Sequence, residues 1–237
     1  MGKLEGKVAA ITASTRSIGR AIAEAYLAEG AKVVISGRSE EKGATALEEM
    51  NAGDNAIFIA CDAGKQSDVE GLIDGTVDHF GKIDIAVLNA GGILNAAPVA
   101  EMTDESWNYT INLNLNHTFW GMRKALQHML PQESGRIIAI SSVEGKLRTA
   151  TVSHYVATKH AINGLVKTAA HEVGESGVTV NAILPGFVKT DLFYESAPQT
   201  AEALGMDSLD EVADMYSSAS AIKKPNTVEQ VAAVAVM

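Results

Sequence analysis

Val8-Ala9-Ala10-Ile11 runs into Thr12-Ala13-Ser14-Thr15-Arg16-Ser17-Ile18-Gly19 and then into Arg20-Ala21-Ile22-Ala23. The opening residues form an unbroken apolar run of strand length, and those after it are mostly small or hydroxylic. From Ile18 to Glu29 the pattern is that of an amphipathic helix. A loop of small residues between a buried strand and a helix turns backbone amides and the positive end of the helix dipole toward one point, where a pyrophosphate fits. A simple structural turn looks similar. Ala13 and Ser17 stand where such loops usually carry glycine, so a positive φ at either would cost on the order of 1 kcal/mol.

Outward from this loop, short β-branched runs alternate with longer helix-like stretches. Strands are predicted at Val8 to Thr12, Lys32 to Ser36, Ala56 to Ala60, Ile83 to Asn89, Arg136 to Ser141 and Thr179 to Leu184. Helices are predicted near Ile18 to Glu29, Ser39 to Met50, Ser67 to Phe80, Ser106 to Leu130 and Val152 to Glu175. Strand, helix, strand units at this spacing give an α/β chain with a parallel sheet covered on both faces. Ser67 with Glu70, and Thr227 with Gln230, carry the pattern of a capping box. No repeat or linker breaks the alternation, so residues 1–237 read as a single domain. The span 191–226, rich in Ser, Ala and Met and with a short helical pattern from Ser208 to Tyr216, reads either as a lid over a site or as a surface excursion.

The chain has 29 acidic and 19 basic residues, a formal charge of −10, which argues against a nucleic-acid partner. Its single cysteine, Cys61, excludes an intramolecular disulfide and a clustered thiolate metal site, and the six histidines form no ligand pattern, so no metal is expected. The longest apolar run, Val231 to Met237, is far short of the ~20 residues that cross a bilayer, and the first residues lack a signal-peptide pattern. No membrane association and a cytoplasmic location are the expectations.

Tyr155 and Lys159, four residues apart in a helix-like stretch, share one face. An ammonium beside a phenol favours the phenolate and should pull its pKa down from ~10, making Tyr155 an acid or base for a carbonyl or alcohol. Lys159 also suits a contact to a cofactor's ribose. At the end of the second strand, Ser36-Gly37-Arg38-Ser39 has no carboxylate before Glu40, so nothing there suits an unphosphorylated ribose. Arg38 and Arg16 could clamp a 2′-phosphate, or be solvated surface arginines.

With these motifs in order, the chain resembles the short-chain dehydrogenases/reductases over almost its whole length. The matching residues are the Thr12 to Gly19 loop, Asp62, Asn89-Ala90-Gly91, Asn114, Ser142, Tyr155 with Lys159, and Pro185-Gly186 followed by Thr190. The resemblance implies a Rossmann-type doubly wound sheet in one domain and hydride exchange between a nicotinamide and a ketone or secondary alcohol, here with NADP(H), or alternatively NAD(H). It implies that Ser142, rather than neighbouring Ser141, bonds the substrate oxygen and that Asn114 supports a relay water near the lysine. Ser14, Arg16, Ile18, Arg38, Asp62, Ala63, Asn89, Ala90, Gly91, Tyr155, Lys159, Pro185, Gly186, Val188 and Thr190 are then the cofactor residues. Asp62 could instead be a turn former, and Pro185-Gly186 a strand terminator. The family's last strand is expected to be absent from this sequence, which ends at Met237. A homo-oligomer, tetramer or dimer, follows from the same resemblance. Glu144 could line the substrate pocket, favouring polar or cationic groups, or face solvent; His117 and His154 could tune the site or merely pack. A non-catalytic protein that senses NADP on the same fold is the alternative from another class.

Overall fold

Six parallel strands, β1 (Val8–Ile11), β2 (Lys32–Gly37), β3 (Ala56–Ala60), β4 (Ile85–Leu88), β5 (Gly135–Ile140) and β6 (Val178–Ile183), form one sheet in the order β3-β2-β1-β4-β5-β6. They belong to a computed structural model that describes residues 2–218 and 220–237. β1 pairs with β2 on one side and β4 on the other, with Ala10 level with both Val34 and Ala86. Every residue of β1 and β4 is buried, as expected of central strands covered on both faces. Chain order reverses between these two strands, so the connections at their carboxyl ends diverge and leave a crevice there.

Helices α1 (Ser17–Ala28), α2 (Glu40–Met50) and, much later in sequence, α9 (Val228–Ala235) pack with one face of the sheet. Ile22 and Tyr26 meet Val33, Ala232 and Ala235 in that core, and the Tyr26 hydroxyl donates to the Ala235 carbonyl at 3.0 Å. The opposite core joins α3 (Gln66–Phe80), α5 (His117–Met129) and α6 (Ser153–Glu172) through Ile73, Met122, Met129 and Ile162. The parallel sheet covered on both faces that the alternation predicts is observed, with the doubly wound architecture that the resemblance implies.

Three details differ from the sequence reading or refine it. The single helix expected over Ser106 to Leu130 is α4 (Asp104–Thr110), a π-helical stretch at Ile111–Asn116, and α5. The Asn114 side-chain amide donates to the Thr110 carbonyl at 2.8 Å, competing with the backbone donors of an ordinary α-turn. The Ser67 capping box does not form, because α3 starts at Gln66 and places Ser67 inside the helix. Its approach is set instead by Asp68, which accepts the Asp62 N–H, and by Asp62, which accepts the Gly64 N–H. At α9 the Thr227 and Gln230 box is complete.

The span 191–226 contains α7 (Asp191–Leu204) and α8 (Leu209–Ser217), which share a small core of Phe193, Ala197, Val212 and Ala213; residue 219 lies outside the described residues. Asn226 anchors the return of the chain, its N–H donating to the Phe187 carbonyl at 2.8 Å. Among the described residues, no helix is long and apolar enough to cross a membrane.

Candidate active site

A cleft of about 350 Å³ opens at the carboxyl ends of the central strands. Its phosphate-loop wall is Ala13, Arg16, Ser17 and Ile18, and its floor is Asn89, Ala90 and Gly91 after β4 with Ser141 and Ser142 after β5. Tyr155 and Lys159 reach it from α6, and Pro185, Gly186, Phe187, Val188 and Thr190 close the far side. Twelve expected residues are thus brought together: Arg16, Ile18, Asn89, Ala90, Gly91, Ser142, Tyr155, Lys159, Pro185, Gly186, Val188 and Thr190.

Ser14, Arg38, Asp62, Ala63, Asn114 and Glu144 stand off these walls. Ser14 is fully buried; its hydroxyl donates to Ile11 and accepts from the Ser36 N–H, so it fastens the loop between β1 and β2. Asp62 shapes its turn, and Ala63 is buried beside it. Arg38 is exposed at the end of β2, with no ion pair among the described residues. Asn114 is buried, donating to Gly92 at 2.7 Å and to Thr110 while accepting the Gly92 N–H at 3.3 Å. Its side chain thus holds the turn after β4 against the π stretch.

The phosphate loop carries the strain its sequence suggested: Ala13 has φ 51° and Ser17 φ 52°. In the left-handed region each costs about 1 kcal/mol or more. Two contacts hold the loop there. Asn89 donates through Nδ2 to the carbonyls of Thr12 and Ala13, both at 3.0 Å. The Ser17 hydroxyl donates to Asp191 at the start of α7 at 2.7 Å. Gly19 is required by close approach, since a Cβ there would lie 2.5 Å from the Ala13 carbonyl oxygen. Arg16, the residue preceding α1, gives it no side-chain cap, which leaves the first-turn amides for another acceptor. The Arg16 guanidinium meets Glu195 at 2.5 Å and Asp191 at 3.9 Å, and it holds the Glu195 carboxyl below the usual range. These α7 partners escaped the sequence reading, because nothing local marks a pairing 179 residues away.

On the floor, Ser142 accepts the Glu144 N–H at 3.1 Å, which leaves its own proton to donate, and a Ser142 bond acts to lower the Tyr155 pKa. Ser141 gives its proton to the Lys159 carbonyl at 3.3 Å, so of the two serines Ser142 is the one whose hydroxyl bonds Tyr155 in the cleft. Lys159 is buried, donates to the Ile140 carbonyl at 2.9 Å, and lies 5.3 Å from the centre of the Tyr155 ring. Burial pushes its pKa down to about 7. The expected fall in the Tyr155 pKa is not found: burial drives it up, Ser142 opposes this, and the Glu144 charge adds to the rise. The ammonium faces the ring, and desolvation of the phenolate outweighs it. His154 is a packing residue, its Nε2 within 3.0 Å of the Asn95 carbonyl.

Comparisons with known proteins converge on one group. The family described as short chain dehydrogenase matches residues 7–201. A 3beta-hydroxysteroid dehydrogenase of Mediterraneibacter gnavus is 37% identical over 198 residues, 83% of this chain and 71% of that protein. A D-beta-hydroxybutyrate dehydrogenase of Rhizobium meliloti is 36% identical over 97% of this chain and 90% of its own length. Among solved structures, a tryptophan variant of the actinorhodin polyketide ketoreductase with NADPH superposes with a TM-score of 0.91 at 31% identity, covering 99% of this chain and 90% of that one.

Proposed function

Since the chain belongs to the short-chain dehydrogenases, oxidoreductases that act at alcohol and carbonyl groups, we propose that it reduces a ketone to a secondary alcohol, and reverses that step, with NADP(H). The observation that carries this reading is the convergence of Ser142, Tyr155 and Lys159 on the cleft floor. The cleft suits a dinucleotide: α1 begins uncapped, and a Cβ at Gly91 would come within 2.8 Å of Asn114 Oδ1, so the floor stays low. Arg16, Ile18, Asn89 to Gly91 and Pro185 to Thr190 would hold it, with Arg38 at a ribose 2′-phosphate. When bound, the nicotinamide supplies or accepts the hydride.

The protein's own groups handle the proton. Tyr155 gives its hydroxyl proton to the carbonyl oxygen during reduction and takes it back during oxidation. Burial and Glu144 keep the phenol protonated, which suits the reductive direction. Ser142 turns its proton from the Tyr155 oxygen to the same carbonyl oxygen, stabilising the charge that grows there. Lys159, held by Ile140, places an ammonium beneath the tyrosine and within reach of a ribose.

Consumption of NADPH, with NADH in parallel, over a panel of neutral ketones and 3-oxoacyl esters tests this reading. Turnover with NADPH preferred, and that preference lost in Arg38→Asp, is the expected result; NADPH binding without turnover of any ketone would count against it. NAD(H) is the second reading, favoured by one observation: Arg16 is engaged by Glu195 and Asp191. For the substrate, Glu144 favours neutral or cationic molecules, with one oxygen accepting from Thr149 at 2.8 Å and the other buried without a partner. Glu144→Gln should raise turnover of a 3-oxo acid relative to its ester. We place the protein in the cytoplasm, and we read it as a homotetramer or dimer, an assembly supported by exposed Trp107 and Phe119 on α4 and α5 and tested by light scattering.

A further inference from the structure

His117 opens α5 directly after the π stretch and is wholly buried. Its Nε2 lies 2.9 Å from the Thr12 hydroxyl at the end of β1. That hydroxyl oxygen already accepts the N–H of Asn89 at 2.8 Å and of Ala90 at 3.1 Å. A hydroxyl has two lone pairs and one proton, so with both lone pairs taken only the proton remains to be placed. The alternative acceptor, the Val87 carbonyl, is at 3.4 Å and already takes the Thr12 N–H at 3.0 Å. The shorter contact wins, which makes Nε2 an acceptor and puts the imidazole proton on Nδ1.

The rest of the ring's surroundings agree. Nδ1 is buried and makes no close hydrogen bond, and the neighbouring backbone group is the Asn114 carbonyl, an acceptor that suits an N–H rather than a lone pair. Burial, reinforced by the Lys159 charge and opposed by the Asn114 carbonyl, pushes the His117 pKa down to about 3.

We propose that His117 is a positioning residue: by accepting the Thr12 hydroxyl proton at Nε2, it ties the helical run that carries Asn114 to the Asn89-Ala90-Gly91 turn on the cleft floor. The Asn114 side chain binds Gly92 on one side of that turn, and His117 holds its other side through Thr12. Without the second tie, the turn can shift relative to Ser142 and Tyr155.

Two variants of similar length separate this role from packing. Glutamine can place an acceptor near the position of Nε2, whereas methionine fills the space with no good acceptor. Rates are measured per NADPH-binding site, counted by fluorescence titration, and thermal midpoints are recorded alongside. His117→Met should lose about tenfold to a hundredfold in kcat, and His117→Gln should stay within about threefold, although both melt earlier. Equal kcat in the two variants would overturn the proposal. The rate comparison rests on the ketone-reduction reading, so a second measurement stands apart from it. Nitrogen NMR of the labelled wild-type imidazole at neutral pH should show the proton on Nδ1; a proton on Nε2, or a cation, would sink the assignment whatever the substrate. Failure of the wild type to reduce any ketone would overturn only the functional reading, with the nitrogen spectrum still deciding the role of His117.

Discussion

Lys159 and Arg16 both line the cleft, yet they are held in opposite ways. Lys159 is 2% exposed and fixed by a strand carbonyl, amid Ser142, Asn114 and His117, whose polar groups bond largely to backbone or to a buried hydroxyl. The Arg16 side chain is 51% exposed, and its partners are two carboxylates on helix α7, which roofs this wall of the cleft. The floor therefore has one geometry and resists change, because moving any member strands a buried polar group. The roof is joined by solvent-screened ion pairs that contribute little and open readily. A cleft that must hold reacting atoms still while admitting a large cofactor needs both kinds of construction.

The largest effect that sharpens this contrast is Tyr155→Phe. Loss of a positioned acid or base should lower kcat by at least about a hundredfold while NADPH binding, followed by fluorescence, stays near the wild-type level. Unchanged turnover would break the comparison at its centre, because the floor would then hold no acid.

A second effect separates floor from roof by pH. In the folded chain Lys159 has a pKa of about 7, against the ordinary 10.5 of a lysine, so above pH 7 the unfolded chain binds the extra proton. Stability then rises with pH from about 7 towards 10.5 and is lower below that window. From about pH 9 Cys61 offsets the rise, since burial pushes its thiol up to about 12, and near the top of the range Tyr26 opposes it too, since burial pushes its phenol up and folding disfavours the phenolate, so the net increase lies between about pH 7 and 9. Urea midpoints of the cofactor-free protein at several pH values should show the increase, and Lys159→Met should flatten it. The same slope in both proteins would assign it to other groups. Salt, by contrast, should act on the roof.

How much of this was legible in the sequence follows the same division. The six strands and the Tyr155 and Lys159 pair could be read because β-α-β alternation and a four-residue spacing are local patterns, one turn or one element long, whereas Asn89 to Gly91 and Ser142 were legible only through the family resemblance. The π stretch could not, since three asparagines in Asn112-Leu113-Asn114-Leu115-Asn116 look alike until Asn114 alone turns inward to Gly92 and Thr110. The direction of the Tyr155 shift was misread for a related reason: residue spacing shows that a lysine is near, but desolvation is a property of the closed fold. The ion pairs of Arg16 with Glu195 and Asp191 could not be read, because no local pattern marks partners so far along the chain. Thr12 appeared as a loop residue, and its hydrogen bond to His117 depends on two amides from a different strand connection.

The smallest effects concern Ala13 and Ser17, two strained residues in one loop with different compensation. Ala13 is exposed, so its methyl buries little to offset its φ of 51°, and Ala13→Gly should raise stability by up to about 1 kcal/mol, less the entropy glycine gains on unfolding. Ser17→Gly removes similar strain but also the hydroxyl that bonds Asp191 at 2.7 Å, so its net effect on stability should be smaller than that of Ala13→Gly. The two should diverge further in cofactor exchange. Ser17→Gly loosens the roof and should speed NADPH release a few-fold, within about fivefold as expected of an exposed contact, whereas Ala13→Gly should leave it unchanged. Stopped-flow release combined with thermal midpoints measures both quantities. If Ala13→Gly alone speeds release, then strain in the phosphate loop, rather than the join to α7, limits opening of the cleft, and the roof is no more labile than the floor.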